Sequence, residues 1–224
     1  MKIVHLSTQE GYNRWAEAYD AFENPLVALD QYLLPQSMPE FSGKRVLDLG
    51  CGTGRYLSHF QKADSVLACD FSSGMLEKAR IKASSLAQVE FAEVDVNRPF
   101  PFQDQTFDFL FSSLVLEHVV DINHFFRSCF RFAAPGASLL MSTMHPAMFL
   151  RQTQAHFQDG DTEFRFESFP HQVSEFVMAL ITTGWQVKNV SETVINSEWV
   201  DSIPKWSKWM DWPVHLTLQA QKST

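Results

Sequence analysis

Residues 44–54, Lys44-Arg45-Val46-Leu47-Asp48-Leu49-Gly50-Cys51-Gly52-Thr53-Gly54, constrain the fold more than any other stretch of the chain. Val46, Leu47 and Leu49 read as a short buried strand, and three glycines follow in the order G-x-G-x-G. A strand that breaks into a glycine turn and then a helix brings bare backbone close to a ligand. Glycine is needed because a Cβ would block both the dihedral angles and the approach. Thr53 is placed to cap the following helix, expected over residues 53–61. Sixteen residues after Gly54, Asp70 ends a second apolar strand, Ser65-Val66-Leu67-Ala68-Cys69-Asp70. An acid at the tip of the second strand accepts hydrogen bonds from ribose hydroxyls. Turn and acid together specify an adenosine-containing ligand at the carboxyl edge of a sheet.

The spacing separates ligand classes. A dinucleotide turn is G-x-G-x-x-G, whose helix N-terminus faces a pyrophosphate. Here it is G-x-G-x-G, with Asp48 inside the preceding strand. No Gly-Lys-Ser/Thr follows, which excludes a P-loop. The run V-L-D-L-G-C-G-T-G resembles motif I of the class I S-adenosylmethionine-dependent methyltransferases. Asp70-Phe71-Ser72-Ser73-Gly74-Met75-Leu76 resembles that family's D-x-S-x-x-M-L run, and Val94-Asp95-Val96 its segment after the third strand. Phe107–Leu114 resembles the fourth strand, Leu116-Glu117-His118-Val119 the turn after it, and Pro135–Met141 the approach to the fifth. The similarity is close over residues 40–145 and in outline elsewhere. Ala137 stands where a second glycine is common, a departure that affects a turn and not the ligand site. The Asn/Asp-Pro-Pro-Tyr/Phe string of the family's nucleic-acid and glutamine modifiers is replaced by Ser112-Ser113-Leu114-Val115.

Along the chain, residues 9–35 read as a helical cap, with Tyr12, Trp15, Ala16, Tyr19 and Phe22 at three- and four-residue steps. Strands are expected near 45–49, 65–70, 89–94, 107–112 and 137–143, and helices near 53–61, 73–87 and 121–132. Such alternation gives a parallel sheet with right-handed crossovers. Residues 145–170 read as a loop or hairpin with short strands at 155–157 and 164–166. A helix from Pro170 to Thr182, a strand near 185–191 and a final strand over 214–220 follow. The expected architecture is an α/β, Rossmann-like, doubly wound, seven-stranded, mostly parallel sheet with helices on both faces, and the family resemblance implies an antiparallel last strand. One domain covers 1–224: a cap over 1–40, a cofactor-binding core over 41–145, and an insertion with acceptor-side elements and last strands over 146–224.

The chain has 224 residues, 45% of them hydrophobic, enough for one α/β core. The net charge of −8 and the lack of any basic run exclude nucleic acid as an expected partner. The longest apolar stretch, 107–120, is broken by Asp108, Glu117 and His118 and is too short to span a bilayer. No secretory signal is visible. Cys51, Cys69 and Cys129 show no C-x-x-C spacing, so free thiols in the cytoplasm and no metal site are expected.

The family resemblance implies S-adenosylmethionine as cofactor and S-adenosylhomocysteine as product. It implies that Asp48, Gly50, Cys51, Gly52 and Gly54 shape the pocket around the methionine end. Asp70 would bind the ribose, with Phe71 and Met75 near the adenine and Asp95 and Val96 at its edge. Ser112, Ser113 and Leu114 would form the floor beside the methyl group. Asp48 read as a local backbone cap, and the two serines as strand-end hydrogen bonders, are the alternatives. Tyr12, Arg14, Trp15 and Tyr19 resemble the Y-x-x-W-A-x-x-Y-D cap of small-molecule members, where an aromatic face suits a sulfonium; helix packing is the alternative. His118, His145 and His171 lie at or beyond strand ends and are the candidate bases. Trp199, Trp206, Trp209 and Trp212 read as an acceptor-pocket wall for an apolar or aromatic substrate, as core, or as a dimer contact. The expected function is methyl transfer to a small-molecule O or N nucleophile by a monomer or homodimer. The alternatives are a non-catalytic S-adenosylmethionine-binding module or sensor, and a dinucleotide oxidoreductase that the turn spacing disfavours.

Overall fold

The computed structural model describes residues 2–22 and 24–224. Its regular elements begin with β1 (Lys2–Leu6), α1 (Thr8–Trp15), α2 (Pro25–Leu33), β2 (Arg45–Leu49), β3 (Ser65–Asp70), α3 (Ser73–Lys82) and β4 (Val89–Glu93). Next come β5 (Phe107–Ser113), α4 (Ile122–Phe132), β6 (Ala133–Met144), β7 (His156–Asp159) and β8 (Thr162–Phe166). The chain closes with α5 (Val173–Thr182), β9 (Gln186–Val194), α6 (Ser197–Ser202) and β10 (Pro213–Gln221). Seven strands form one sheet in the order β4-β3-β2-β5-β6-β10-β9. Strands β2 to β6 pair in parallel, and β10 runs antiparallel to both β6 and β9. This is the doubly wound sheet that the alternation of elements predicts. The order reverses between β2 and β5, and the diverging carboxyl ends there open the crevice where such sheets bind ligands.

Both faces of the sheet are covered because its strands are apolar on both sides. Along β5, Leu110 packs on one face with Phe125, Phe126, Cys129 and Phe132 of α4. Phe109 and Phe111 point to the other, with Leu57, Phe60, Leu76 and Ala79, as the two-residue period of a strand requires. α4 buries Ile122, Phe125, Phe126, Cys129 and Phe132, and Asp121 caps it by accepting from the His124 N–H at 2.9 Å. Each buried phenylalanine contributes about 1.5–3 kcal/mol.

Three features depart from expectation. The helix predicted over 53–61 does not form: residues 52–56 are turn, and only Leu57–Phe60 winds, as a 3-10 helix. The reason lies in the turn, where Gly50, Gly52 and Gly54 have φ of 75°, 54° and 80°, left-handed values that cannot start an α-helix. Thr53 does not cap; its hydroxyl donates to Asp20 Oδ1 at 2.8 Å. The break in the cap at Pro25, by contrast, is the punctuation that a proline there leads one to expect: Asn24 and Pro25 restart the chain as α2, with Asn24 Oδ1 accepting from the Leu26 N–H. The strand β1 has no counterpart among the expected elements. It pairs in parallel with β8, which pairs with β7, in a separate three-stranded sheet. Trp15 of α1 stacks on Phe157 of that sheet, ring centroids 5.4 Å apart, so the small sheet backs the helix that covers the crevice.

Candidate functional site

The glycine turn folds back on β3, its Gly50 and Cys51 N–H groups both donating to the Cys69 carbonyl at 2.7 and 2.8 Å. A Cβ on Gly50 would lie 2.2 Å from Val115 Cγ2, whereas one on Gly52 would meet nothing within 4 Å. Gly52 therefore presents bare backbone to open space, at the rim of a cavity of about 280 Å³. Asp70 is buried beside it. Its Oδ2 accepts from the Gly52 N–H and its Oδ1 from the Ser72 N–H, both at 2.9 Å. The carboxylate thus pins the turn to the start of α3, with lone pairs left over for a ligand. Burial pushes the Asp70 carboxyl up to about 6, and burial with the Asp70 charge pushes Asp48 up to about 8.

Tyr12, Tyr19, Gly50, Gly52, Asp70, Phe71, Met75, Asp95, Val96, Ser113 and Leu114 all line this cavity. Four predicted residues do not. Asp48 and Cys51 border a separate space of about 30 Å³ behind the turn, and burial raises the Cys51 thiol. Ser112 is fully buried and donates to the Leu49 carbonyl at 2.7 Å, tying β5 to β2. Gly54 packs against Leu57 and Ala79. Sequence reading missed Gln9 and Asn97. Gln9 Nε2 donates to the Phe71 carbonyl at 2.6 Å and docks α1 over the cavity. Asn97 donates to the His118 carbonyl and accepts from the Val120 N–H.

A second cavity of about 510 Å³ lies beyond Tyr12, Tyr19 and Leu114, which border both spaces. Its wall includes Met144, Met148, Trp206, Trp209 and Glu117. Trp199 and Trp212 instead pack in the neighbouring apolar cluster, and Arg151 lies 4.0 Å over the Trp212 ring. Leu114 has φ of 55°, a strained value for a branched residue. Its N–H is held by the Ser142 carbonyl at 3.0 Å and hydroxyl at 3.3 Å.

The three histidines differ. His118 lines the first cavity with both ring nitrogens engaged. Its Nδ1 lies 2.9 Å from the Glu167 carbonyl, which can only accept, so Nδ1 carries the proton and Nε2 accepts from the Tyr12 hydroxyl at 3.0 Å. Burial holds the Tyr12 hydroxyl well above its ordinary range, hence protonated. His145 lines neither cavity: its Nε2 meets Glu192 Oε2 at 2.6 Å, and its Nδ1 accepts from the Ala147 N–H, capping the turn at Pro146–Arg151. His171 also stands outside both, donating to the Val119 carbonyl at 2.6 Å.

Behind Leu114 lies a polar hub absent from the sequence reading. Asp30 of α2 is fully buried. Its Oδ2 accepts from Tyr56 and Ser113 at 2.5 and 2.6 Å, and its Oδ1 from Ser142 and His215 at 2.5 and 2.7 Å. Burial alone would raise this carboxyl, but the bond and charge of His215, with the two serines, outweigh it and hold it below the usual range. The available signal was a lone acid in Leu26-Val27-Ala28-Leu29-Asp30 and a lone histidine in the apolar final strand.

A methyltransferase domain family matches residues 47–141. An uncharacterized methyltransferase of Emericella nidulans is 30% identical over 244 residues, covering 89% of this chain and 85% of that protein. The chain belongs to the class I S-adenosylmethionine-dependent methyltransferases. A malonyl-[acyl-carrier protein] O-methyltransferase of Yersinia pestis is 31% identical, over 59% of this chain and 48% of that protein. A ubiquinone biosynthesis O-methyltransferase of Xanthomonas oryzae pv. oryzae is 33% identical, over 61% and 59%. The chain thus spans about half to three fifths of the length of these two relatives. Among solved structures, a putative S-adenosylmethionine-dependent methyltransferase of Listeria monocytogenes superposes with a TM-score of 0.75 at 20% identity, covering 88% of this chain and all of that one. That likeness is one of fold. The open glycine backbone, the pinned acid and the aromatic wall of the first cavity fit the family's methyl donor. This methyltransferase has no helix, among the described residues, long and apolar enough to cross a membrane.

Proposed function

We propose that the enzyme transfers the methyl group of S-adenosylmethionine to an oxygen or nitrogen of a small molecule held in the second cavity. The observation that carries this reading is the pair of cavities meeting at Tyr12, Tyr19 and Leu114. S-adenosylmethionine brings a methyl group already activated on a sulfonium, so the protein has to align the nucleophile and strip its water. In this reading Gly50 and Gly52 receive the methionine end, and Asp70 accepts the ribose hydroxyls. Phe71, Met75, Asp95 and Val96 surround the adenine. Tyr12 and Tyr19 offer ring faces to the cation, and His118 holds Tyr12 in place. A base role for His118 requires its bond to Tyr12 to open. His145 and His171 have no part in the chemistry.

The O-methyltransferase names of two relatives support a small-molecule acceptor, as does the net charge of −8, unsuited to a phosphate backbone. Three buried free cysteines suit a reducing cytoplasm. We read residues 1–224 as one domain whose cap and insertion serve the acceptor. Isothermal titration with S-adenosylmethionine, S-adenosylhomocysteine and NADH is the test. Micromolar binding of both sulfur ligands and none of NADH is expected; NADH binding with neither sulfur ligand would sink the reading. Binding of the sulfur ligands without turnover of any acceptor leaves the sensor alternative in its place.

A further inference from the structure

The wall of the second cavity has polar groups at its more exposed positions, Asn24, Thr153, Gln154, His156, Lys205 and Lys208, and one charged side chain that is buried. Glu117 sits in the turn after β5, 7% exposed, with Leu114, Met144, Met148 and Trp206 around the same space. Its Oε2 accepts from the Thr143 hydroxyl at 2.8 Å. Its Oε1 makes no hydrogen bond among the described residues, and no cationic side chain among them pairs with the carboxylate. Oε1 is not among the buried unpaired polar atoms of the described residues, which are Ser168 Oγ, Trp206 Nε1 and Trp212 Nε1, so it faces open space, where a donor can reach it. The Thr143 bond also fixes its direction: with Oε2 held, Oε1 is the oxygen left for the cavity. An ionised carboxylate only accepts hydrogen bonds, so whatever completes this site carries a proton.

We infer that Glu117 is the acceptor-binding residue, and that the acceptor is an apolar or aromatic body ending in a proton-bearing oxygen or nitrogen. This rests on the second cavity being the acceptor site. In the reaction the acceptor's O–H or N–H bond breaks and the proton goes to Glu117 Oε1. The electron pair stays on oxygen or nitrogen, which becomes the nucleophile for the methyl group. Glu117 afterwards returns the proton to water. Thioether acceptors, which have no such proton to give, are excluded.

Binding to the S-adenosylhomocysteine-saturated protein tests this without turnover. The probes are naphthol, naphthylamine and methoxynaphthalene, which share a ring body and differ in the donor. The wild type should hold naphthol or naphthylamine about tenfold more tightly than methoxynaphthalene, the worth of one hydrogen bond to a charged group. The better of the two donors tells a hydroxyl acceptor from an amine. Glu117→Gln keeps the shape and, with its amide oxygen on Thr143, turns N–H donors towards the cavity. It should abolish or invert the preference while S-adenosylhomocysteine affinity stays unchanged. If that variant fails to fold, Thr143→Val, which frees the carboxylate to swing, should shrink the preference in a folded protein. Equal binding of all three probes, no binding of any, or a preference that survives Glu117→Gln overturns the inference. Failure of S-adenosylhomocysteine to bind the wild type instead overturns the functional reading beneath it.

Discussion

The two cavities are built from different material. The first is framed by main chain: a glycine turn, the end of β3 and one carboxylate that pins them together. That frame lies within one continuous stretch of strand, turn and strand, and side chains from α1, the end of β5 and the turn after it close over it. The second is framed by side chains from α1, α2, the turn after β5, the end of β6 and the segment around Trp206. No two of these walls are fixed by the same local pattern. A main-chain site tolerates almost no variation in its turn, whereas a side-chain site can be recut residue by residue on the same sheet. Asp30 is the join between them. It gathers hydroxyls from Tyr56, Ser113 and Ser142 and the ring of His215, and Ser142 in turn holds the strained Leu114 that borders both cavities.

Breaking that join should have the largest effect. Asp30→Ala leaves a buried histidine and three hydroxyls without their acceptor, at a cost of about 3–5 kcal/mol. Urea unfolding measures it, and a loss below about 1 kcal/mol would show the hub to be dispensable. The first cavity is expected to carry a pH signature of its own. Asp48 is raised to about 8 and Asp70 to about 6 in the folded state, against about 3.9 unfolded. The folded chain therefore binds more protons than the unfolded one, and stability falls as pH rises from about 4 towards 8, by a few kcal/mol. Asp48→Asn should flatten the profile above about pH 7, where Asp70, raised to about 6, has largely titrated; an unchanged slope there would locate the raised group elsewhere.

Two smaller effects separate the cavities. Asp70→Ala removes the ribose acceptor and loosens the turn, so affinity for S-adenosylhomocysteine should drop about 30- to 100-fold. Titration that finds less than about threefold in a folded variant would remove Asp70 from the ligand site. On the acceptor side, the buried Trp206 Nε1 has no hydrogen-bond partner among the described residues. Trp206→Phe should change stability by less than about 1 kcal/mol, because the lost ring area is offset by removal of an unsatisfied polar atom. Thermal unfolding checks this, and donor affinity should not move.

Legibility divides along the same line. Gly50, Gly52 and Asp70 were readable from their offsets to strand ends, and Phe71 and Asp95 from the family resemblance; all five line the first cavity. Ser112 satisfied the same pattern but points elsewhere, since the pleat alternates side chains; Gly54, in the turn, packs against Leu57 and Ala79. The histidines misled for a related reason. His145 and His171 lie past strand ends, as a base would, yet a carboxylate and two backbone groups occupy their nitrogens. The 53–61 helix failed because three left-handed glycines override the helix preference of residues 55–60. Asp30 and His215 carried no pattern beyond being polar in apolar surroundings, and Glu117 was read only as part of the Leu116–Val119 turn.

By itself, then, the sequence determined the alternation of strands and helices, the mostly parallel sheet and the donor turn, because these depend on period, glycine and short-range offsets. Only the tertiary structure decided which polar groups meet. Asp30 and His215 are 185 residues apart, and Tyr12 and His118 106 apart. Contacts over such distances are set by how the cap, the small sheet and the last strand close over the core. That closure is a property of packing, with no local signature along the chain.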